Sequence, residues 1–407
     1  TAMDFEPSDR VRELKDRIDD LIAEVIEPLE AEHAEWLGKD MEQTLVGDDD
    51  LLIDEYWDVA EEIRKEAVDR GLYNCIMPEE YGGMDLSWVE FEQLIEHLHD
   101  RRNPGLHRNA IVHSSTPFLR RFDDSLWDEY VQPVLDGEAL MAFAMTEETS
   151  GSDPQYMETT AEKDGDEWIL NGTKKYVTEG PYADFHIVFA RTSGEPGDNE
   201  GITPFIVDPD QPGVDMPAVH KVMGGLPRDH SYYRYDDVRV PARKVVGAVD
   251  EGLTSGMEWI NYGKVYDAAR AIGISQWLLD TTIEYAKERE TWEVPLADRQ
   301  AIRHKLGEMD RKVKRTRWLT RRACWELDKG GRTYGWQALM KIEEAKTLNQ
   351  VADEAVQIHG GKGFDREYPI EWVYRHARVY RIWEGAEEVM RNQHADSLID
   401  HDGMIDE

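Results

Sequence analysis

The stretch YRIWEGAEEV, residues 380–389, sets a carboxylate between an indole and a glycine. Glu384 is there either one more solvated surface charge or a group that does chemistry. The commonest fate of a glutamate in an acidic chain is a solvated surface charge, so its setting has to decide. Three other segments carry groups suited to holding a phosphate or a ring. AMTEETSGSD, residues 144–153, offers the Thr146 hydroxyl and the backbone amides of Gly151 and Ser152. YVTEG places Tyr176 and Thr178 two apart, on one face of a strand. VQIHGGKGF, residues 356–364, brings Gln357, Gly360 and Gly361 to a helix exit, without the spacing of a P-loop or of GxGxxG after a strand. Taken singly, the first two read more readily as a strand-capping turn and a core tyrosine with an incidental threonine, and the third as a glycine-rich helix exit.

The elements that must position these residues change period twice. From Ser8, Val11, Leu14, Ile18, Leu21, Ile22, Val25, Ile26 and Leu29 recur at helical steps, with Pro28 bending or ending the helix. A second helix is expected from Asp54 to Arg70, stopped by Gly71, and a third begins at a Ser87/Glu90 capping box. Between about 144 and 250 the pattern becomes β-rich, with Asn171-Gly172 reading as a two-residue hairpin turn in EWILNGTKKYV. After Gly252 helical stripes return, Ile272, Leu279 and Ile283 on one and Ile302, Leu306, Met309 and Val313 on another. The fold class expected is α+β. It comprises an N-terminal helical domain (1–143), a middle β domain (144–250), a C-terminal helical domain (251–396) and an acidic tail (397–407).

The 407 residues carry 85 acidic against 47 basic side chains, a formal net charge of −38. Acid spread along a chain with 10% aromatic residues points to a folded, acid-coated protein of a halophile, not to disorder. No run approaches the roughly 18 apolar residues of a membrane span, and a soluble, cytoplasmic protein is expected. The two cysteines, Cys75 and Cys324, lie in no CxxC or Cys/His arrangement. His97 and His99 in EHLHD read as solvated helix residues, not metal ligands. The basic run RKVKRTRWLTRR, residues 311–322, reads as a helix face paired with acid, because the overall field repels nucleic acid.

Taken together and in order, MPEEYGG, AMTEETSGSD, NGTKKYVT, VMGGLPRDHSYYRYDDVRVP, RETW, DEAVQIHGGKGF and YRIWEGAEEV resemble the acyl-CoA dehydrogenase family over nearly the whole chain. The resemblance implies an N-terminal helical domain, a β-barrel-like middle domain and a C-terminal helical bundle. It also implies FAD, an acyl-CoA substrate of fatty acid metabolism, a homotetramer built as a dimer of dimers, and an electron-transfer flavoprotein as partner. By resemblance, Met145, Thr146, Gly151, Ser152, Tyr176 and Thr178 hold the flavin and pyrophosphate. Arg289, Thr291, Trp292, Gln300, Gln357, Gly360 and Gly361 reach FAD across a subunit interface.

Glu384 then matches the base that removes the α-proton of an acyl-CoA thioester while the β-hydrogen leaves as hydride to flavin N5, giving a trans-2-enoyl-CoA. The enolate oxygen is held by the backbone N–H of that Glu and a ribityl hydroxyl. Trp383 walls off water, Gly385 admits the thioester, and Arg332 aligns near the CoA adenine. Some relatives carry the base on the helix of INYGKVYDAAR, where this chain has Gly263. Departures are Ala386 and Glu388 in place of Thr and Gln, and Glu148 in place of Pro. An oxidase or monooxygenase on the same fold, or an acyl-CoA-binding relative without turnover, are the alternatives.

Overall fold

A computed structural model describes residues 5–37, 40–101, 103–111, 116–330 and 333–399. Helix α1 (Asp9–Leu21) is capped by Ser8, whose Oγ accepts from the Val11 N–H at 3.2 Å. A π-helical turn, Ile22–Ile26, carries the chain into a short helix, Glu27–Glu32, with Pro28 in its first turn. A proline's missing N–H costs nothing there, so Pro28 bends the path without ending it. Helix α2 (Asp54–Asp69) stops before Gly71, which takes φ 69°. Helix α3 (Trp88–His99) opens on the reciprocal Ser87/Glu90 box, both bonds at 3.2 Å.

Seven strands follow: β1 (Met141–Ala144), β2 (Thr160–Asp164), β3 (Glu167–Thr178), β4 (Phe185–Arg191), β5 (Ile202–Val207), β6 (Val214–Val219) and β7 (His230–Pro241). Their order is β1-β4-β2-β3-β7-β6, with β5 paired to β4. Strands β4 and β5 are buried at every residue, as continuous apolar runs require when both faces are covered. Asn171-Gly172 is not a hairpin turn: β3 runs through it, and the turn after β2 falls at Gly165, φ 63°. Gly172 is instead a close-packing position, where an added Cβ would stand 2.4 Å from Thr159 Oγ1 and the ladder to β7 shifts register. A β-bulge wants the same residue types as a tight turn.

The C-terminal block comprises α4 (Gly252–Glu288), α5 (Gln300–Asp328), α6 (Tyr334–His359), α7 (Pro369–Ala377) and α8 (Glu387–Ile399). Val265, Ile272 and Leu279 of α4 share one core with Met309 and Val313 of α5 and Leu348 and Val351 of α6. Gly273 brings α4 hard against α3, since a Cβ there would lie 2.5 Å from the Glu96 carbonyl oxygen. The basic run on α5 is paired with acid: Arg317 with Glu96 at 2.7 Å, Arg321 with Glu92 at 3.2 Å, and Arg315 with Glu343 at 2.6 Å. Arg332 and residues 400–407 of the expected tail lie outside the described residues.

Of the two histidines expected to be solvated, His97 is half-buried beside Asp19 at 3.0 Å. His99 is buried, its Nε2 3.3 Å from the Tyr266 hydroxyl. It sits on the core stripe of α3, where the helical period places it below Phe91 and Ile95. Among the described residues no helix is long and apolar enough to cross a membrane.

Candidate active site

Glu384 sits on the link between a 3-10 turn, Arg378–Arg381, and α8. The Trp383 N–H closes back onto the Val379 carbonyl at 3.1 Å. The chain then turns through Glu384 at φ 52° and Gly385 at φ 112°. A left-handed glutamate is uncommon, and backbone strain of this kind collects at functional sites. The turn aims the carboxyl at α4, where a Cβ on Gly263 would stand 2.0 Å from Glu384 Oε1. Gly263 is thus the gap in the helix surface that receives the carboxyl. Trp383 closes one side, its ring 5.0 Å from Tyr380 and 5.8 Å from His376.

The residue as a whole keeps some exposed surface, while its Oε2 is buried without a hydrogen-bond donor among the described residues. Burial first, and the charge of Asp267 second, push its pKa well above the ordinary carboxylate range; Lys341 and Lys264 oppose them. Lys264, one residue beyond the receiving glycine, is also buried, and burial lowers its ammonium to about 8 against the pull of Glu384. Its Nζ donates to Asn261 Oδ1 at 3.0 Å. A carboxylate in this setting is a stronger base than one in water, by 1.36 kcal/mol of proton affinity per pKa unit.

The residues of AMTEETSGSD are tied to β3 and to the same helix. Met145 is buried, and a Cβ on Gly256 of α4 would meet its Cε at 2.2 Å. Gly256 and Gly263 are two turns apart on one face of α4, roughly 10 Å along the axis. Thr146 accepts the Lys175 N–H at 2.8 Å, whereas Gly151 and Ser152 are exposed. A Cβ on Gly151 would meet only Thr146 Cγ2, at 3.9 Å. Strand β3 shifts register between Lys175 and Val177, where Tyr176 takes φ 58°. Tyr176 and Thr178 are both exposed, on either side of buried Val177.

A second group lies elsewhere. Arg289 follows the end of α4, Thr291 and Trp292 belong to the small hairpin of β8 (Glu290–Thr291) and β9 (Val294–Pro295), and Gln300 begins α5. Gln357, Gly360 and Gly361 close α6, joined to α4 by Tyr285 and His359 rings stacked at 4.3 Å. Arg289, Trp292, Gln300, Gln357, Gly360 and Gly361 are exposed, and a Cβ on Gly360 or Gly361 would meet nothing within 4 Å. Such bare backbone suits the close approach of a pyrophosphate. Arg289 is 33 residues beyond Gly256, roughly 50 Å along α4. The two expected FAD-binding groups therefore stand far apart in one chain.

Several residues that shape the site were not singled out from sequence. Lys174, fully buried, donates to the Met145 carbonyl at 2.9 Å and to Glu147 Oε1 at 2.7 Å. Glu147 in turn accepts the N–H groups of Glu158 and Thr159 at 2.6 and 3.0 Å, and so fixes the loop that carries Thr146. Asp267, Lys341 and Glu344 lie buried behind the base. The available signal was a charge at a position that the helical period assigns to the core, as in KVYDAARAIG and ALMKIEEAK. Glu388 is exposed, and Glu148 pairs with Lys175.

The chain matches the family domain described as "Acyl-CoA dehydrogenase, middle domain" over residues 142–238 and "Acyl-CoA dehydrogenase, C-terminal domain" over residues 250–399. It is 33% identical to a 3-(aryl)acrylate reductase of Clostridium sporogenes, covering 85% of this chain and 92% of that protein. It is 34% identical to the CarC subunit of a caffeyl-CoA reductase-Etf complex of Acetobacterium woodii, over 68% of this chain and 72% of the subunit. Among solved structures, butyryl-CoA dehydrogenase from Megasphaera elsdenii superposes with a TM-score of 0.82 at 26% identity, covering 98% of this chain and 100% of that one. With the helical, β, helical order and the carboxyl seated on Gly263 already seen, these likenesses establish that the chain belongs to the acyl-CoA dehydrogenase family of FAD-dependent oxidoreductases.

Proposed function

We propose that the protein catalyses α,β-dehydrogenation of an acyl-CoA thioester to the trans-2-enoyl-CoA, with Glu384 as the base. The observation that carries this reading is the seating on Gly263 of a carboxyl whose Oε2 is buried without a donor among the described residues, two helical turns from the contact that α4 makes with Met145. Glu384 takes the α-proton onto its carboxyl, and the electron pair released becomes the new Cα=Cβ bond. Bound FAD supplies the hydride acceptor for the β-hydrogen. The backbone N–H of Glu384 polarises the thioester oxygen, Trp383 keeps water from the carboxyl, and Gly385 leaves room for the thioester.

Met145, Thr146, Gly151, Ser152, Tyr176 and Thr178 hold the flavin and the near phosphate. The separation of roughly 50 Å along α4 supports giving Arg289, Thr291, Trp292, Gln300, Gln357, Gly360 and Gly361 to the FAD of a neighbouring copy. It thereby supports a homotetramer built from dimers. Arg289 brings a permanent fork-shaped cation suited to a pyrophosphate. The divisions at 143, 250 and 396, a cytoplasmic setting and an electron-transfer flavoprotein as acceptor complete the proposal; a relative named as part of an Etf complex supports the last.

The relatives named as reductases support a second direction at the same bond. By microscopic reversibility the protonated Glu384 then delivers the α-proton to an enoyl or aryl-acryloyl thioester. Anaerobic stopped-flow mixing with butyryl-, cyclohexanecarbonyl- and 3-phenylpropanoyl-CoA tests the proposal. One or more of these thioesters bleaches the flavin with formation of the matching enoyl-CoA. Bleaching by none of them counts against it, and rapid reoxidation with peroxide on admitting air replaces the dehydrogenase by an oxidase.

The formal charge of −38 further supports a protein built for molar salt, where the Debye length falls to about 3 Å. The melting temperature is expected to rise steeply between dilute buffer and about 1 M KCl, where the Debye length has fallen to about 3 Å. A flat profile removes the halophile reading.

A further inference from the structure

Beside the base lies a second acid for which the reaction as written has no use. Asp267 is on α4, one turn beyond the Gly263 that receives the Glu384 carboxyl and on the same face of the helix, and its charge acts on that carboxyl. Asp267 is 2% exposed, and among the described residues neither its Oδ1 nor the buried Glu384 Oε2 finds a donor. Two carboxylates buried side by side repel each other when both are ionised, so the pair takes up a proton readily, and that one proton satisfies both oxygens at once.

The surroundings are charged on every side. From α4 come Lys264, 2% exposed, and Arg270, whose guanidinium reaches His376 Nε2 at 3.1 Å. From α6 come Lys341 and Glu344, with the Lys341 Nζ 2.7 Å from Glu344 Oε1 and 3.8 Å from Asp267 Oδ2. Tyr380, buried, lays its ring 5.6 Å from that ammonium. Burial works against the Lys341 ammonium, but Glu344 and Asp267 outweigh it and its pKa is raised. Glu344 itself is pushed up to about 8 by burial. Lys341 thus stands as a cation beside Asp267 and Glu344, within reach of the base's charge.

Resting on the reading of Glu384 as the base, we infer that Glu384 and Asp267 form a proton-sharing pair, with Lys341 as the cation that sets its proton affinity. Asp267 touches neither thioester nor flavin in this account; it is a positioning residue that acts through Glu384. Its charge makes the base a better proton acceptor when the substrate arrives, and its hydrogen bond holds the proton once taken.

Infrared pH titration of the FAD-loaded protein, without substrate, tests this through the C=O stretch of a protonated carboxylic acid. The Glu384 band is assigned as the one lost in Glu384→Gln. In Asp267→Asn, which keeps the size and a donor, its midpoint is expected to fall by about 1–3 pH units, the span that one neighbouring charge commands. In Lys341→Gln it is expected to rise. An Asp267→Asn protein that keeps flavin and melting temperature but leaves the midpoint unchanged overturns the pair. Should Asp267→Asn fail to fold, Lys341→Gln decides, and an unmoved midpoint there overturns it equally. Failure of the base assignment shows separately, as a Glu384→Gln variant that still bleaches flavin at the parent rate.

Discussion

A Glu384→Gln variant is expected to keep its FAD and its fold and to reduce the flavin with acyl-CoA roughly 10²–10⁴-fold more slowly, the range for loss of a general base. The change removes the proton acceptor while preserving shape, and the left-handed turn at φ 52° tolerates glutamine as well as glutamate. On α4 the position facing this carboxyl is Gly263, and Asp267, its partner one turn further on, is placed to act through Glu384 and not on the substrate. Single-turnover bleaching separates this loss from any change in substrate binding. A variant that retains the parent rate at saturating acyl-CoA assigns the proton transfer to another group.

Gly263→Ala carries the second large expectation. Its methyl group would stand 2.0 Å from Glu384 Oε1, well inside van der Waals contact, so the carboxyl must move by an ångström or more. Displacement on that scale costs about 10²-fold in rate. Alanine is otherwise the better helix former, by about 1 kcal/mol over glycine, so helical stability alone predicts a benefit. Gly307→Ala on α5, where a Cβ meets nothing within 4 Å, isolates that benefit and should leave the rate untouched. The prediction is therefore a slow Gly263→Ala and a parent-like Gly307→Ala, compared by flavin bleaching at equal FAD content. Parent-like rates in both would mean that the carboxyl does not depend on its seat on α4.

These two residues also mark what the sequence made legible. Glu384 could be found because the family resemblance ends on a local motif: indole, carboxylate and glycine are consecutive, so the match needs no distant partner, although the triplet alone left a surface charge equally open. The importance of Gly263 followed only from the family alternative for the base. Helix α3 was legible for the same local reason, its capping box being two residues and two hydrogen bonds. Asn171-Gly172 misled because the same pair serves a bulge and a turn, and only Thr159, brought in from outside the strand, distinguishes them. Tyr176 and Thr178 were expected on one face by strict alternation. Both do end exposed, but through a bulge at φ 58° and not through a regular strand.

The charges under the base were hidden for a different reason. In a chain with 85 acidic residues, Asp267 and Glu344 are two among many, and composition argues that any given one is at the surface. Their burial depends on how α4 and α6 face each other, with Lys341 between them. A helix register that pairs residues 74 positions apart is set by packing, not by either segment's own pattern. Lys174 and Glu147 pose the same problem across β3, where a buried ion pair 27 residues apart fixes the loop at Thr146. Buried pairs of this kind are costly to break, by about 3–5 kcal/mol when one partner is removed, and their role is to position and not to react.

The central claim is that the α-proton of an acyl thioester is taken by a carboxyl of this chain in the step that reduces the flavin. Stopped-flow bleaching of the FAD-loaded protein, anaerobically and at saturating concentration, with the best acyl-CoA and its α,α-dideuterated form, tests it most directly. The account predicts slower bleaching with the deuterated thioester and no measurable deuterium effect on its binding. Equal bleaching rates for the two thioesters, with enoyl-CoA formed from both, would contradict it.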